Sequence, residues 1–406
     1  MSKVIVIGAG ASGLAAAIML SRNNNEVIIL ERNNICGKKL LITGSGRCNY
    51  FNSDFTTSHF NSSNRKLLES IINDKSKDEV LDFFNSIGII PTIKEGYYYP
   101  YSNQASSIKN ALEQEVINSN VEIIYNTYVK DIVKNNNEFI ITTDNKTYNC
   151  EKVVVATGSK AYKKTGSEGN LYEVLKKLGH NIIKPLPALV QLKAEEKYLK
   201  EWKNIRTKAT LRLYENNNFI KEEKGEVQLT DYGISGICTM NLSSIVARSL
   251  DQGKKIDIEI NFYNELNSID SFINFMNSRD ILLKNRTISE LLEGIMNYKL
   301  ANLLIKLSNI NINSKWSNLK KEEKVSLAKN IISHKLNIIG TNSFDTSQTC
   351  SGGVSLLDIN LDTMESKRVD GLYLIGEILD VDGECGGYNL GFCFITGIKA
   401  GNNIKW

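Results

Sequence analysis

A chain of 406 residues is too long for one ordinary domain and sets an expectation of two or three. With 42% hydrophobic residues, 23% charged residues and a net charge of +4, its composition is that of a soluble globular protein. Lys and Arg are spread rather than massed, so no nucleic-acid partner is expected, and three His without a His/Cys cluster argue against a metal centre.

Val4–Ile7 is a short apolar run suited to a buried parallel strand. Gly8, Gly10 and Gly13 follow in G-x-G-x-x-G spacing, with Ala11 and Ser12 between them. Ser12 to Arg22 reads as a helix with Leu14, Ala15, Ile18 and Met19 on its apolar face. Val27–Leu30 reads as a second buried strand, closed by Glu31. In such a unit the first glycine permits a tight turn, the second lets backbone approach a pyrophosphate, and the third lets helix and strand pack closely. The helix N-terminus offers N–H groups and partial positive charge to the phosphates. Glu31 is placed to take ribose hydroxyls, and this strand–turn–helix–strand–acid context separates a dinucleotide site from a plain glycine-rich turn. By itself the unit suits NAD as well as FAD.

In residues 37–49, Gly37, Gly44 and Gly46 loosen the backbone while Lys38, Lys39 and Arg47 bring positive charge. That composition suits a loop passing close to an anionic ligand, with a surface turn as the plainer alternative. Residues 65–90 carry helical patterning, Glu95–Pro100 reads as an aromatic turn, and Ser106–Ile117 as a helix. Val121–Tyr125, Tyr128–Val133, Phe139–Thr143 and Lys146–Cys150 alternate as strands, and Val153–Ala156 is a further buried strand leading to Thr157-Gly158.

Pro185 and Pro187 mark a boundary. Beyond it, Ala209–Tyr214, Phe219–Glu223, Glu226–Thr230 and Lys255–Asn261 look like antiparallel strands, with turns at Asn216–Asn218 and Gly225. Residues 264–333 turn helical, with a capping-box signal at Thr287 and Glu290, and a strand at Lys335–Ile339 leads back. The expected organisation is a discontinuous domain of residues 1–188 and 344–406. It is interrupted by a β-rich insert, 189–263 with 334–343, and a helical subdomain, 264–333.

The C-terminal stretch repeats strand, glycine loop and helix. Leu372–Ile375 is apolar, Gly376 and Glu377 follow, then Asp380, Asp382, Gly383, Gly386 and Gly387, then Tyr388, Asn389, Leu390 and a helical run Phe392–Lys399. Glu377 is placed to bond a ribityl hydroxyl, and the helix start near Asn389 to stabilise negative charge on a reduced flavin ring. A solvated Gly/Asp turn is the alternative.

Together, GAGASG (8–13), the Glu31 ending, GKKLLITGSGRCN (37–49), SGGVSL (351–356), TMESK (363–367) and GLYLIGEILDVDGECGGYNL (371–390) resemble the BaiN-like FAD-dependent oxidoreductases. That bacterial flavoprotein family includes bile-acid-reducing and aminoacetone-oxidising members. The resemblance spans nearly the whole chain. It implies an α/β fold: a Rossmann-like doubly wound FAD-binding domain interrupted by a β-barrel-like insert and a helical subdomain. Carried onto this sequence, FAD contacts would fall on Gly8, Gly10, Ala11, Ser12, Gly13, Glu31, Arg32, Lys38 and Lys39. Others would be Gly44, Gly46, Arg47, Cys48, Asn49, the backbone of Val129 near the adenine, Thr157, Gly158, Gly376, Glu377, Gly387, Tyr388, Asn389 and Leu390. The chain departs from the family where Tyr97 replaces the usual Arg, at Thr230–Ile237 in place of Thr-His-x-Gly-Leu-Ser-Gly-Pro, and at Ser159 in place of the second Gly of Ala-Thr-Gly-Gly. These departures bear on the substrate more than on FAD.

The seven Cys, at 36, 48, 150, 238, 350, 385 and 393, form no C-x-x-C. Scattered thiols in odd number suit a reducing cytoplasm. The N-terminus opens directly into a strand without a secretory pattern, and no apolar run approaches 18 residues, so a cytoplasmic chain with no membrane partner is expected. Cys48 reads as a packing or cofactor-contact residue ahead of a redox dithiol, His180 as a surface or packing residue, and Tyr97–Tyr99 as either a pocket wall or packing. The expected function is flavin-mediated hydride or electron-pair transfer on a small-molecule substrate, with NAD(P)H as candidate reductant, or O₂ as acceptor in an oxidase of small amines. A second reading is an FAD-containing RNA-modifying or RNA-binding protein. Its mark would be a basic face with exposed aromatics, for which Lys193, Lys197, Lys200, Lys203, Arg206 and Lys208, with Tyr198 and Trp202, are the candidates. A solvated edge is the plainer account of that cluster. No catalytic residue and no oligomeric state is singled out.

Overall fold

The first strand, Lys3–Ile7, lies inside a seven-stranded sheet, which explains its unbroken apolar sequence. A computed structural model describes residues 3–404. In the sheet the order is Ile359–Asn360, Glu365–Ser366, Leu372–Leu374, Lys152–Val155, Lys3–Ile7, Glu26–Leu30 and Glu122–Ile124. The last five of these run parallel, with Val4 opposite both Val27 and Lys152, and the first two pair antiparallel at the edge. Val4, Ile5 and Val6 are fully buried.

Residues up to Leu186 and from Phe344 onward form one compact unit, and Pro187–Ser343 form another. In the first unit, helix Ala11–Arg22 packs against the last described helix, Tyr388–Asn403. Glycines set their closeness: a Cβ on Gly397 would sit 2.5 Å from the Ser12 carbonyl oxygen, and one on Gly401 would sit 2.5 Å from the Met19 Cβ.

The second unit holds a closed barrel of six strands: Leu192–Ala194, Gly233–Ser235, Asn218–Leu229, Ile205–Glu215, Ile256–Asn261 and His334–Thr341. Every neighbour in it is antiparallel. Helices Ile269–Leu282, Ile288–Glu293, Tyr298–Leu307 and Lys321–Ile332 follow, and Thr287 and Glu290 do form the capping box. The fold is thus an α/β Rossmann-like domain interrupted by a β-barrel and a helical segment.

Three local expectations need correction. Gly225 does not turn the chain: Asn218–Leu229 is one strand, with Gly225 opposite Ala209. The glycine instead leaves room for Cys238, at the start of helix Ile237–Asp251, to pack on the strand 3.5 Å from where a Cβ would be. The aromatic segment is not a turn either. Only Glu95 and Gly96 turn, both with positive φ, and Tyr97–Pro100 is a strand paired with Pro91–Lys94. Between 65 and 90 the helical pattern is split into a 3₁₀ segment, Arg65–Ser70, and an α-helix, Ser76–Ser86. The Asn73 side chain accepts from the Lys75 N–H and the Ser76 hydroxyl from the Asn73 N–H, a local turn that competes with helix continuity.

In the basic segment of the insert the cations are exposed but the aromatics are not. Trp202 is fully buried and its indole N–H donates to the Thr230 carbonyl. The Tyr198 hydroxyl lies 2.6 Å from His334 Nε2, and Lys203 and Arg206 pair with Asp231 and Glu226. No helix of the described residues is long and apolar enough to cross a membrane.

Candidate cofactor site

The glycine turn after the first strand is built by close approach. Gly8 has φ +103°, and a Cβ there would lie 2.6 Å from the Ala156 carbonyl oxygen. A Cβ on Gly13 would lie 2.0 Å from the Gly8 carbonyl oxygen, so helix and turn touch backbone to backbone. Gly10, the N-cap, has nothing within 4 Å on its Cβ side. Its helix carries no acidic residue of its own in the first turn.

Glu31 fixes this turn. It is 6% exposed; one carboxylate oxygen accepts from the Ala9 N–H at 2.8 Å, the other from the Asn33 N–H and from Asn33 Nδ2, both at 2.7 Å. The Gly37 N–H donates to the Ala9 carbonyl at 2.7 Å, so the basic loop starts tied to the turn.

Within that loop, Gly44, Ser45, Gly46 and Cys48 all have positive φ. A Cβ on Gly44 would meet the Asn49 backbone nitrogen at 2.8 Å. Lys39 Nζ reaches Glu377 at 2.7 Å, joining the loop to the C-terminal strand–loop–helix unit. Asn49 Oδ1 lies 2.8 Å from the position of a Gly387 Cβ, so the loop also meets the start of the last helix. Lys38 is exposed and its Nζ lies 3.4 Å from Asn33 Oδ1. Arg32 donates to the Gly166 carbonyl, pairs with Glu168 at 3.0 Å, and lies over the Tyr128 ring. Arg47 is exposed and lies over the Tyr99 ring at 5.1 Å.

The turn, the basic loop and the C-terminal unit therefore converge, although Lys39 and Glu377 are 338 residues apart in sequence. Among the described residues, Thr157 Oγ1 and Asn49 Oδ1 are buried without a hydrogen-bond partner. Thr157 lies two residues past the end of strand Lys152–Val155, and its Cα lies 3.3 Å from a Gly8 Cβ position. Gly158 has φ +72°, and Glu377 Oε2 lies 3.8 Å from its Cβ position. Buried polar atoms without partners are costly, and a polar ligand bound here would complete these two. With the open side of Gly10, the positive helix end and the surrounding cations, the residues fit an anionic dinucleotide.

Several of the expected contact residues are buried or already hydrogen-bonded within the chain. Cys48 and Gly376 are buried; the Gly376 N–H donates to Thr396 Oγ1. Burial pushes the Cys48 thiol up to about 12, with a weaker opposing pull from Thr43, so it is a packed neutral thiol. The Val129 side chain is buried and its carbonyl accepts from Asn170 Nδ2. The Asn389 side chain folds back: Oδ1 accepts from the Gly383 N–H and Nδ2 donates to the Gly383 carbonyl. Tyr388 is 5% exposed and packed among Phe55, Phe60 and His59, while Leu390 is half-buried. Ala11 and Ser12 open the first helix and are buried. His180 packs inside, with both ring nitrogens bonded, to the Leu175 carbonyl and to Ser366 Oγ.

Sequence reasoning missed the partners of the C-terminal loop. His59 contacts Glu384, and Asn52 Nδ2 donates to the Gly386 carbonyl at 2.8 Å. No local spacing signals such pairs. Among the described residues no cluster of His, Cys, Asp and Glu has the makings of a metal site.

The chain matches the HI0933-like protein Rossmann domain over residues 2–403. It is 36% identical to the 3-dehydro-bile acid delta(4,6)-reductase of Clostridium scindens, over 99% of this chain and 98% of that protein. It is 26% identical to the ribosomal RNA dihydrouridine synthase of Escherichia coli, over 95% of this chain and 93% of that protein. The same identity holds for the protein of that name from Haemophilus influenzae, over 96% and 94%. Matched over almost its whole length and built around this dinucleotide turn, the chain belongs to the HI0933-like Rossmann-domain family.

Proposed function

We propose that this chain reduces a carbon–carbon double bond conjugated to a carbonyl in a small organic substrate, with NAD(P)H as reductant. The observation that carries the cofactor part is the meeting of three remote segments at the Lys39–Glu377 pair, 2.7 Å apart, beside the Gly8–Gly13 turn. FAD, when bound, supplies hydride or electron-pair transfer. The start of helix Ala11–Arg22 and the open side of Gly10 receive the pyrophosphate. Glu31, held by three N–H groups, turns its remaining lone pairs to the ribose. Thr157 Oγ1 and Asn49 Oδ1 gain their missing partners on the cofactor. The start of helix Tyr388–Asn403 places positive partial charge where the reduced ring is negative.

The relatives' names support the substrate class. One names reduction of a 3-dehydro-bile acid at its delta(4,6) positions, the other formation of dihydrouridine. Both describe saturation of a double bond activated by a carbonyl. A small enone is favoured over an RNA base because Trp202 and Tyr198, the aromatics of the basic segment, are turned into the core of their unit. The test is anaerobic reduction of the yellow holoprotein with NADH and NADPH, then reoxidation by enones, by small amines' imines, by uridine-containing RNA or by O₂. Bleaching by a nicotinamide and reoxidation by an enone is the expected result. Reoxidation by O₂ alone would make the protein an oxidase. A colourless protein that FAD does not reconstitute would remove the cofactor assignment.

A further inference from the structure

His59 ends a 3₁₀ turn, Thr57–His59, and leads into the short strand Phe60–Asn61. That strand pairs antiparallel with Asp382–Gly383, and the Glu384 N–H donates to the His59 carbonyl at 3.0 Å. The imidazole therefore stands beside the loop that precedes the last helix. Its Nδ1 lies 2.8 Å from Glu384 Oε2 and its Nε2 lies 2.9 Å from Asp54 Oδ2. A neutral imidazole has one N–H and one lone pair; only the imidazolium donates at both nitrogens. With a carboxylate oxygen at each nitrogen, the neutral ring would set a lone pair against an anion. The ring also lies flat on Tyr388, centroids 4.5 Å apart at 18°, an arrangement that favours a cation on the aromatic face.

Tyr388 is the first residue of the last helix, and its ring is held between Phe55 and Phe60. Between Glu384 and Tyr388 lie Gly386 and Gly387, both with positive φ. There is no slack at Gly386: a Cβ would come within 2.9 Å of Tyr97 Cε1 and 3.2 Å of Tyr388 Cε2. The His59 charge thus grips the loop on one side through Glu384 and the helix start on the other through Tyr388.

We propose that His59, as an imidazolium, is the positioning residue that holds the 384–388 loop in the form that retains FAD, and that its deprotonation loosens the cofactor. The proposal rests on the reading that the start of the last helix faces the flavin. Burial of the ring works against the charge, but the Glu384 and Asp54 carboxylates outweigh it and hold the imidazole above its usual 6.5. The other charged group on this turn is Arg65, whose guanidinium donates to the Thr57 and Ser58 carbonyls. The Tyr388 and Tyr97 phenols are pushed up, chiefly by burial, and stay neutral. The remaining two histidines are displaced the other way, His180 downward and His334 down to about 4, both chiefly by burial. His59 is therefore distinguishable in a titration of the intact protein.

The experiment follows FAD affinity of the full-length protein by flavin fluorescence from about pH 6 to about pH 9, beside NMR titration of its imidazoles. Affinity is expected to weaken about tenfold as pH rises through the His59 midpoint, a change that corresponds to about one unit of coupled pKa. His59→Arg keeps a cation with several donors and is expected to give a flat profile at the acid-side affinity. His59→Gln is expected to show the weaker affinity at every pH. Asp54→Asn, at an exposed position that leaves folding intact, is expected to move both midpoints down together. A flat wild-type profile, a His59 midpoint below 6.5, or an undiminished pH dependence in His59→Arg would each overturn the proposal. A wild-type chain that takes up no FAD at any pH would overturn the proposed function as well, which separates the two failures.

Discussion

Thr157 shows how one atom distinguishes a packing residue from a ligand residue. Its hydroxyl oxygen is buried and has no partner among the described residues, a cost of about 1–3 kcal/mol when nothing repays it. Thr157→Val is expected to leave the FAD-free protein as stable or about 1 kcal/mol more stable, and to weaken FAD binding about tenfold. Thermal unfolding with and without FAD reads both effects. His59 gives a second prediction at this scale. Because its pKa is raised in the folded chain, its stabilising contribution is complete below the usual 6.5 and is lost as pH rises through the raised value. The urea midpoint of His59→Gln should lie below that of the wild type at acid pH and approach it at alkaline pH. Work that is local was legible in the sequence: the spacing of Gly8 and Gly13 states the approach of the Gly13 Cα to the Gly8 carbonyl, whereas the approach of Gly8 to Ala156 is not local. The side-chain role of Asn389 was not legible, because an Asn beside glycines serves a ligand or its own loop equally well, and here the side chain clamps Gly383. His59 and Glu384 stand 325 residues apart, and nothing in either neighbourhood names the other.

The two helices that frame the turn meet through glycine. Gly397 faces the Ser12 carbonyl with room for no side chain, and backbone on both helices is what must move. Gly397→Ala is expected to cost about 1–3 kcal/mol and to lower FAD affinity, because the displaced Ser12 belongs to the first turn of the cofactor helix. Loss of affinity without loss of stability would show that the helices repack freely. Strands and helices were largely readable from periodicity, since a strand covered on both faces has to be apolar throughout. The errors sit where a residue has two uses. Gly225 has the composition of a turn and the job of a spacer, opposite Ala209 and under Cys238. Tyr97–Pro100 carries bulky residues that suit a strand, and only Glu95 and Gly96 mark where the hairpin bends.

Each unit of the molecule has its own apolar core, one built on Val4–Ile7 and its neighbours, the other on the barrel and the helices that follow it. The glycine turn and the basic loop belong to the first, while the buried Trp202 and Trp316 report on the second. FAD is expected to raise the unfolding temperature of the first unit by mass action, and calorimetry should show this as a shift larger than that of the tryptophan fluorescence transition. The interruption of the first unit was legible as a change of pattern after Pro185 and Pro187. Closure of the barrel was not, because it depends on Leu192–Ala194 pairing with His334–Thr341, a contact across the whole insertion. At one hairpin of that barrel, Asn216 and Asn217 make a two-residue turn with both residues at positive φ, matched to the twist of the strands they join. Chain added at such a turn lies between the two strands and interrupts no residue of their ladder. The hairpin turn is the natural attachment point for a fluorophore or an affinity handle, in the unit that does not hold the glycine turn.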